Sequence, residues 1–220
     1  MWGVLAAEAG NWIGPMLEGL RLSLSVTALT LLFGLPMGLL LAVGVGARHP
    51  WAKWPALALV EVGRGAPSLV LLQFAYFGLP STGLTLTSFT ASVLALSWTT
   101  GAYTSEIIRA GLESVPRGQR EASLAIGLTR RDAMRYVIVP QGLRIATPAL
   151  LGFAILMFQT TSLCFVIALP ELTSRAYEIG TNTFQYLPAL VMAGMLYLLI
   201  CVPATLLVSA VEARASRQSG

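Results

Sequence analysis

Glu113-Ser114-Val115-Pro116-Arg117-Gly118-Gln119-Arg120-Glu121-Ala122-Ser123-Leu124-Ala125-Ile126-Gly127-Leu128-Thr129-Arg130-Arg131-Asp132-Ala133-Met134-Arg135-Tyr136-Val137-Ile138-Val139-Pro140 is the longest polar stretch in a chain of 220 residues. Gly118 to Ile126 carries helix formers, with Leu124 and Ile126 apolar. Gly127 stands where a helix ends in a left-handed cap. Thr129 with Asp132 three residues on reads as a helix start. The pattern predicts two short helices joined at Gly127, a rigid knob that can receive force from a soluble partner.

Outward from this stretch the chain turns apolar on both sides. Uncharged runs cover Leu22 to Ala47, Gly65 to Ser105, Ile145 to Pro170 and Ile179 to Val211. Hydrophobic residues make up 55% of the chain, charged ones 11%, and the mean hydropathy is +0.73. An ordinary soluble domain has about 25% charged residues, so a water-soluble fold is excluded. About 20 apolar residues cross the hydrocarbon, and the second run is long enough for two crossings. The prediction is an all-α integral membrane protein with five transmembrane helices near 19–46, 55–78, 87–112, 142–168 and 187–210. Around them lie an interfacial or frayed segment at 1–18, the polar loop at 113–140 and a tail at 213–220. The N-terminus lacks the basic region of a cleaved signal peptide and is expected to be kept.

Five crossings put 48–54, 113–140 and 212–220 on one side, with Arg48, Lys53, Arg117, Arg120, Arg130, Arg131, Arg135, Arg214 and Arg217. The other side has Arg175 and, at its margin, Arg21. Excess Lys and Arg marks the cytoplasmic side, so the N-terminus is expected outside and the C-terminus inside a bacterial cytoplasmic membrane. The net charge of +4 follows from this bias. No basic stripe with interleaved aromatics is present, which argues against nucleic acid as a partner. His49 is the only histidine, and Cys164 and Cys201 lie in apolar runs, so no metal framework is expected.

Within the spans the polar residues form groups. Gly34 and Gly38 bracket Pro36, a pattern for close helix approach, with a dimer seam as one use of it, and for a kink at the proline. Glu61 and Arg64 share a helical face, either as a mutual ion pair or as a gate or subunit contact, and Glu106 joins them as a third charged candidate. Ser97, Thr99, Thr100 and Tyr103 on the third span, Gln159, Thr160, Thr161 and Ser162 on the fourth, and Gln73 and Tyr76 on the second are candidates for a substrate pathway. Single hydroxyls of this kind mostly bond to their own helix; clusters on two helices point toward an aqueous path.

Glu121-Ala122-Ser123, three residues, Gly127, nine residues, then Val137-Ile138-Val139-Pro140 resembles the Glu-Ala-Ala signature of bacterial ABC importer permeases. Ser123 stands where that pattern has alanine. Further stretches resemble its polar amino acid uptake branch: Arg64-Gly65-Ala66-Pro67 after Glu61, Gly101-Ala102-Tyr103 with Glu106 to Gly111, Pro140 to Arg144, Thr161-Ser162-Leu163 and Pro170-Glu171-Leu172. The likeness runs from about residue 18 to 212. It implies the type I importer permease fold, with a coupling helix in which Arg117, Gly118, Glu121, Ala122, Ser123 and Gly127 dock an ATPase. The implied partners are two ABC ATPase subunits, a second permease subunit, an extracytoplasmic solute-binding protein, an amino acid substrate and the lipid bilayer. ATP and Mg would sit on the ATPase, because this chain has no Gly-rich phosphate loop ending in Lys and Ser or Thr; the chain itself is expected to bind no cofactor and to be no enzyme. A same-fold permease for a quaternary amine, opine or organic anion, and a channel or scaffold without an ATPase, are the alternatives. Relatives have a Lys-Asp pair where Gln159 and Thr160 stand, which weakens the case for a cationic substrate here.

Overall fold

The computed structural model describes residues 2–47 and 49–217, with the side chains at 2, 4–7 and 214–217 outside the description. Arg48, Arg214 and Arg217 from the inner-face count, and Trp2 from the N-terminal segment, therefore fall outside the described side chains. All regular structure among the described residues is helical.

The first helix, α1, runs without interruption from Trp2 to Val45. At 44 residues it is about 66 Å long, roughly twice the hydrocarbon thickness. Residues 2–18 are thus an extension of the first span. Trp12, Met16 and Leu20, spaced four apart, are buried, and they pack with Leu172, Ala176, Ala189 and Met192 in one core. That apolar stripe holds the extension in place.

The second span departs from the expected straight helix at 55–78. α2, Pro50–Gly65, stops at Ala66, whose ψ of 133° is the extended conformation a following proline imposes. After Pro67 the chain continues through α3, Ser68–Gln73, a π turn at Phe74–Gly78 and a 3-10 turn at Leu79–Thr82. The two halves meet at 104°. α4, Ser88–Glu113, follows, started by Thr87, whose hydroxyl accepts the Thr90 N–H.

In the loop, α5 spans Arg117–Ala125 and α6 spans Arg130–Asp132. The second of the two expected short helices is not separate. α6 flows through a π turn at Ala133–Ile138 into α7, Val139–Thr160, and then a 3-10 turn at Thr161–Ile167. Both π turns precede a proline, Pro80 and Pro140. A proline inside a helix lacks an N–H and pushes against the carbonyl four residues back. Widening the preceding turn relieves that crowding: the Leu79 N–H reaches Phe74 O and the Val139 N–H reaches Met134 O, five residues back in each case. The connection at 169–186, expected as an outer loop, contains α8, Leu172–Thr183. α9, Tyr186–Arg217, closes the fold.

Three described helical stretches are long and apolar enough to cross a membrane, or four if the bent pair is one span. The expected count of five is not matched on that criterion, and α4 is the reason. Its 26 residues have the length, about 39 Å, yet it is rich in Ser and Thr. Burial compensates: Ser92, Ser97, Thr99, Thr100, Thr104 and Ser105 are all enclosed by neighbouring helices. Gly34 faces Thr100 and Gly38 faces Thr104, so α1 and α4 run parallel, with side chains too close for a methyl between them. Gly111 packs on Gly142 and Ala146, while Tyr103 stacks on Phe153, so α4 and α7 are antiparallel.

Candidate functional site

The seam with α1 consumes one face of α4 and leaves another open. Tyr103, Glu106 and Ala110 follow at spacings of three and four, and Glu113 lies one turn further. Tyr103 is 41% exposed, donates its hydroxyl to Arg64 O at 3.3 Å, and stacks on Phe153 with ring centroids 5.7 Å apart.

The charges on this face form one chain of ion pairs. The Glu106 carboxylate takes Arg109 on one oxygen at 2.7 Å and lies 3.6 Å from Arg64 of α2. Arg109 also reaches Glu113 at 2.7 Å. This corrects the sequence reading of Glu61 and Arg64 as a mutual pair: Glu61 is exposed and has no ion pair among the described residues. Arg64 is the next-to-last residue of α2, and its side chain reaches across to α4 because the chain turns away immediately after it. Glu106 lies about 8 Å along the axis from the middle of α4. Charges at that depth persist only when paired, or when they face water or protein; these are paired and partly open, with 27–38% of each Arg64, Glu106 and Arg109 side chain exposed.

The other pathway candidates divide. Ser97, Thr99 and Thr100 are at most 7% exposed. Thr99 donates to Ala95 O; the Thr100 and Ser97 hydroxyls have no partner among the described residues. Thr100 packs on Gly34, and Ser97 lines an apolar cavity of about 510 Å³ beside Trp98 and Phe74. All three are enclosed in this conformation, Thr99 included, although it lies one turn before Tyr103. On α7, Thr160 donates to Leu156 O, and beyond it Thr161 donates to Phe158 O and Ser162 to Gln159 O. These hydroxyls secure the change from α to 3-10 geometry at Thr161. Gln159 donates to Cys201 Sγ at 3.6 Å. Gln73 is exposed, and the half-buried Tyr76 meets Phe77 edge-on.

The loop at 113–140 builds a protruding knob. α5 ends in a left-handed cap: Gly127 has φ +86° and donates to Leu124 O, while the Leu128 N–H reaches back to Ser123 O. The Thr129 hydroxyl then accepts the Asp132 N–H and donates to the Asp132 carboxylate. Arg117, Gly118, Glu121 and Ala122 are exposed, whereas Ser123 is buried and donates to Arg120 O. Leu124 is 41% exposed and Ile126 79%, an apolar outer surface on a polar helix.

Glu171 is a residue to which the sequence reading gave no role. It is fully buried and caps α8, its carboxylate accepting the Thr173 and Ser174 N–H groups at 2.9 and 2.8 Å. Tyr197 of α9 donates to it at 3.1 Å and Ser23 of α1 at 3.4 Å. Burial raises its pKa above the ordinary glutamate value, and the hydrogen bonds from Thr173, Ser174 and Tyr197 limit that rise. Glu171, following Pro170 and standing three residues before Ser174, is the signal that could have revealed the cap. Nearby, Arg175 holds Glu178 at 2.8 Å and Glu18 at 3.6 Å.

A helical membrane unit with paired charges on an open face and an exposed knob on a polar loop has the form of a transport subunit driven by a soluble partner. A family model described as "Binding-protein-dependent transport system inner membrane component" matches residues 34–217. The chain is 34% identical over 199 residues to the arginine transport system permease protein ArtQ of Bacillus subtilis (strain 168), covering 90% of each chain. It is 36% identical over 205 residues to the glutamine transport system permease protein GlnP of Escherichia coli (strain K12), covering 90% of this chain and 92% of that one. Among solved structures it matches the crystal structure of an amino acid ABC transporter with histidines at a TM-score of 0.90 and 34% identity, covering 94% of this chain and 97% of that one. The MetNI methionine ABC transporter, at 24% identity and a TM-score of 0.65, shares the fold.

The chain belongs to the family of inner membrane components of binding-protein-dependent transport systems. It is a multi-pass membrane permease subunit and not the ATP-hydrolysing one, and its family implies an ATPase and a binding protein as partners.

Proposed function

We propose that this chain forms half of the translocation pathway of an ATP-driven importer for polar amino acids, paired with a second permease subunit of the same fold. The observation that carries the reading is the knob at 117–130, a capped helix with Ile126 79% exposed beyond the spans. Such a surface fits a soluble ATPase, on which ATP and Mg supply the energy. Relatives named for arginine, glutamine and glutamate/aspartate transport support the substrate class.

Orientation follows from charge. With the N-terminus outside, the knob and its arginines lie in the cytoplasm, as the positive-inside rule requires. The parallel course of α1 and α4 means that the bent segment between them returns the chain across the bilayer, and α4 then serves as a crossing shielded by its neighbours. In this reading force applied to α5 passes through Gly127 into α6 and α7. α7 bears Phe153, which stacks on Tyr103, so motion reaches Arg64 and Glu106 at the bend of α2. Loosening and remaking that contact would alternate access to the open face of α4.

A mild-detergent pull-down of the tagged chain from its native membrane, with mass spectrometry of what accompanies it, tests the proposal. An ATPase at about one copy per permease is expected. Recovery of this chain alone, with a known complex preserved in parallel, would refute it. Cysteine labelling at positions 130 and 81 tests the orientation, with access at 130 from outside as the contrary result.

A further inference from the structure

A cavity of about 670 Å³ lies between the knob and the end of α1, where Gly46 forms part of its wall. Arg120 of α5 and Arg130 and Arg131 of α6 converge on it. None of the three has an ion pair among the described residues, whereas Arg64, Arg109 and Arg175 all do. Of the nearby acids, Asp132 is hydrogen-bonded to Thr129. The rest of the wall is apolar, with Leu124, Met134 and Ile138. Three guanidinium groups over an apolar surface match an anion that carries a hydrocarbon tail.

The position of the cavity favours a ligand from the bilayer. α1 ends at Val45 and α7 begins at Val139, so it lies at the ends of two spans. Trp51 and Trp54, 78% and 65% exposed, flank Lys53 in the first turn of the adjacent α2. Exposed tryptophans beside a lysine mark the headgroup level. The most exposed apolar side chain of the knob, Ile126, is not part of the lining. It is left free to meet a soluble partner elsewhere.

We propose that this cavity binds the phosphate headgroup of an anionic phospholipid, held by Arg120, Arg130 and Arg131 with the start of its acyl chains on Met134 and Ile138. That the lipid belongs to the inner leaflet rests on the orientation proposed above; the site itself does not. Each arginine near an anionic surface strengthens binding about fivefold, so the three together contribute roughly a hundredfold.

The test uses the chain purified with its ATPase partner, delipidated in mild detergent and titrated with phosphatidylglycerol or phosphatidylcholine, with bound lipid counted by native mass spectrometry. Phosphatidylglycerol is expected to bind in preference to phosphatidylcholine. Arg131→Gln should weaken it about fivefold and the triple Arg120→Gln/Arg130→Gln/Arg131→Gln variant roughly a hundredfold. Arg135→Gln, whose guanidinium lies over the Tyr136 ring and outside the cavity, should leave it unchanged. Equal binding of both lipids, or indifference to Arg131→Gln and the triple variant alike, would overturn the proposal. Full displacement by millimolar inorganic phosphate would assign the site to a free anion instead. Binding to the chain alone that vanishes with the ATPase present would assign the arginines to that partner. A reversed orientation in the labelling experiment would change the leaflet without changing the lipid count.

Discussion

Replacing Gly38 by alanine tests whether α1 and α4 are held at the distance the structure shows. A Cβ there would run into Thr104 Oγ1 and lie 3.1 Å from Gly101 O and 3.2 Å from Ser105 N. The Thr104 hydroxyl must move and the two backbone atoms must give by a few tenths of an ångström, which pushes the helices apart. Overpacking of this kind costs about 1–3 kcal/mol. Alanine also recovers roughly 1 kcal/mol of helix propensity relative to glycine, which would hide part of the loss. Gly152 of α7 supplies the correction, because nothing lies within 4 Å of its Cβ position. Gly152→Ala is therefore expected to be neutral or stabilising, and the difference between the two variants isolates the packing cost. Thermal unfolding in detergent should show Gly38→Ala melting below Gly152→Ala by about 2–4 °C per kcal/mol. Thr104→Ala removes the nearest contact and should rescue Gly38→Ala in part, leaving the Gly101 carbonyl in the way. Equal melting temperatures for the two glycine variants, or no coupling between positions 38 and 104, would refute the seam.

Gly127→Val places a β-branched residue at φ +86°, which costs about 1–2 kcal/mol without any steric contact; uptake should fall while membrane insertion is unchanged, and Gly152→Ala, helical and in open space, is expected to behave as wild type in the same uptake assay. Glu106→Gln removes the anion shared by Arg64 and Arg109. Because these groups are partly exposed, stability should change by less than about 1 kcal/mol, whereas uptake should fall at least about tenfold; retained uptake would remove Glu106 from the pathway. Glu171 has a raised folded pKa, so the folded state holds the proton more tightly than the unfolded one. Its stabilising contribution is complete below the ordinary glutamate pKa and is lost as pH rises through the folded value. The melting temperature of wild type relative to Glu171→Gln should therefore decline as pH rises from about 4.5, and a rising difference would contradict the assignment.

Much of this was legible in the residues themselves. The caps at Gly127 and Thr129 and the close approach of Gly34 and Gly38 are local, and local chemistry dictates them, whereas the second span was expected straight over 55–78 and breaks at Ala66-Pro67. The amount of bend at Pro67 and the partner of Arg64 were not legible. They depend on which helix α2 meets, and Glu106 is 42 residues away in sequence. The Ser and Thr residues of α4 looked like the wall of an aqueous path because composition does not tell which face of a helix is enclosed. Burial takes Ser97, Thr99 and Thr100 into the packing, Thr100 against Gly34 of α1, and the ion pairs of Glu106 take their place as the polar feature. α8 was hidden for a similar reason. Its cap is a fully buried glutamate stabilised by donors from α1 and α9, which no reading of 169–186 alone supplies.

The central claim is that ATP hydrolysis on a partner drives solute through this chain by way of the 117–130 loop. Its most direct test is uptake into proteoliposomes holding the complete complex, with the binding protein and labelled polar amino acids outside and ATP inside. Wild type should accumulate amino acid only when ATP is present, and Glu121→Lys, incorporated at the same level, should not. ATP-independent uptake, or full uptake by Glu121→Lys, would contradict the account.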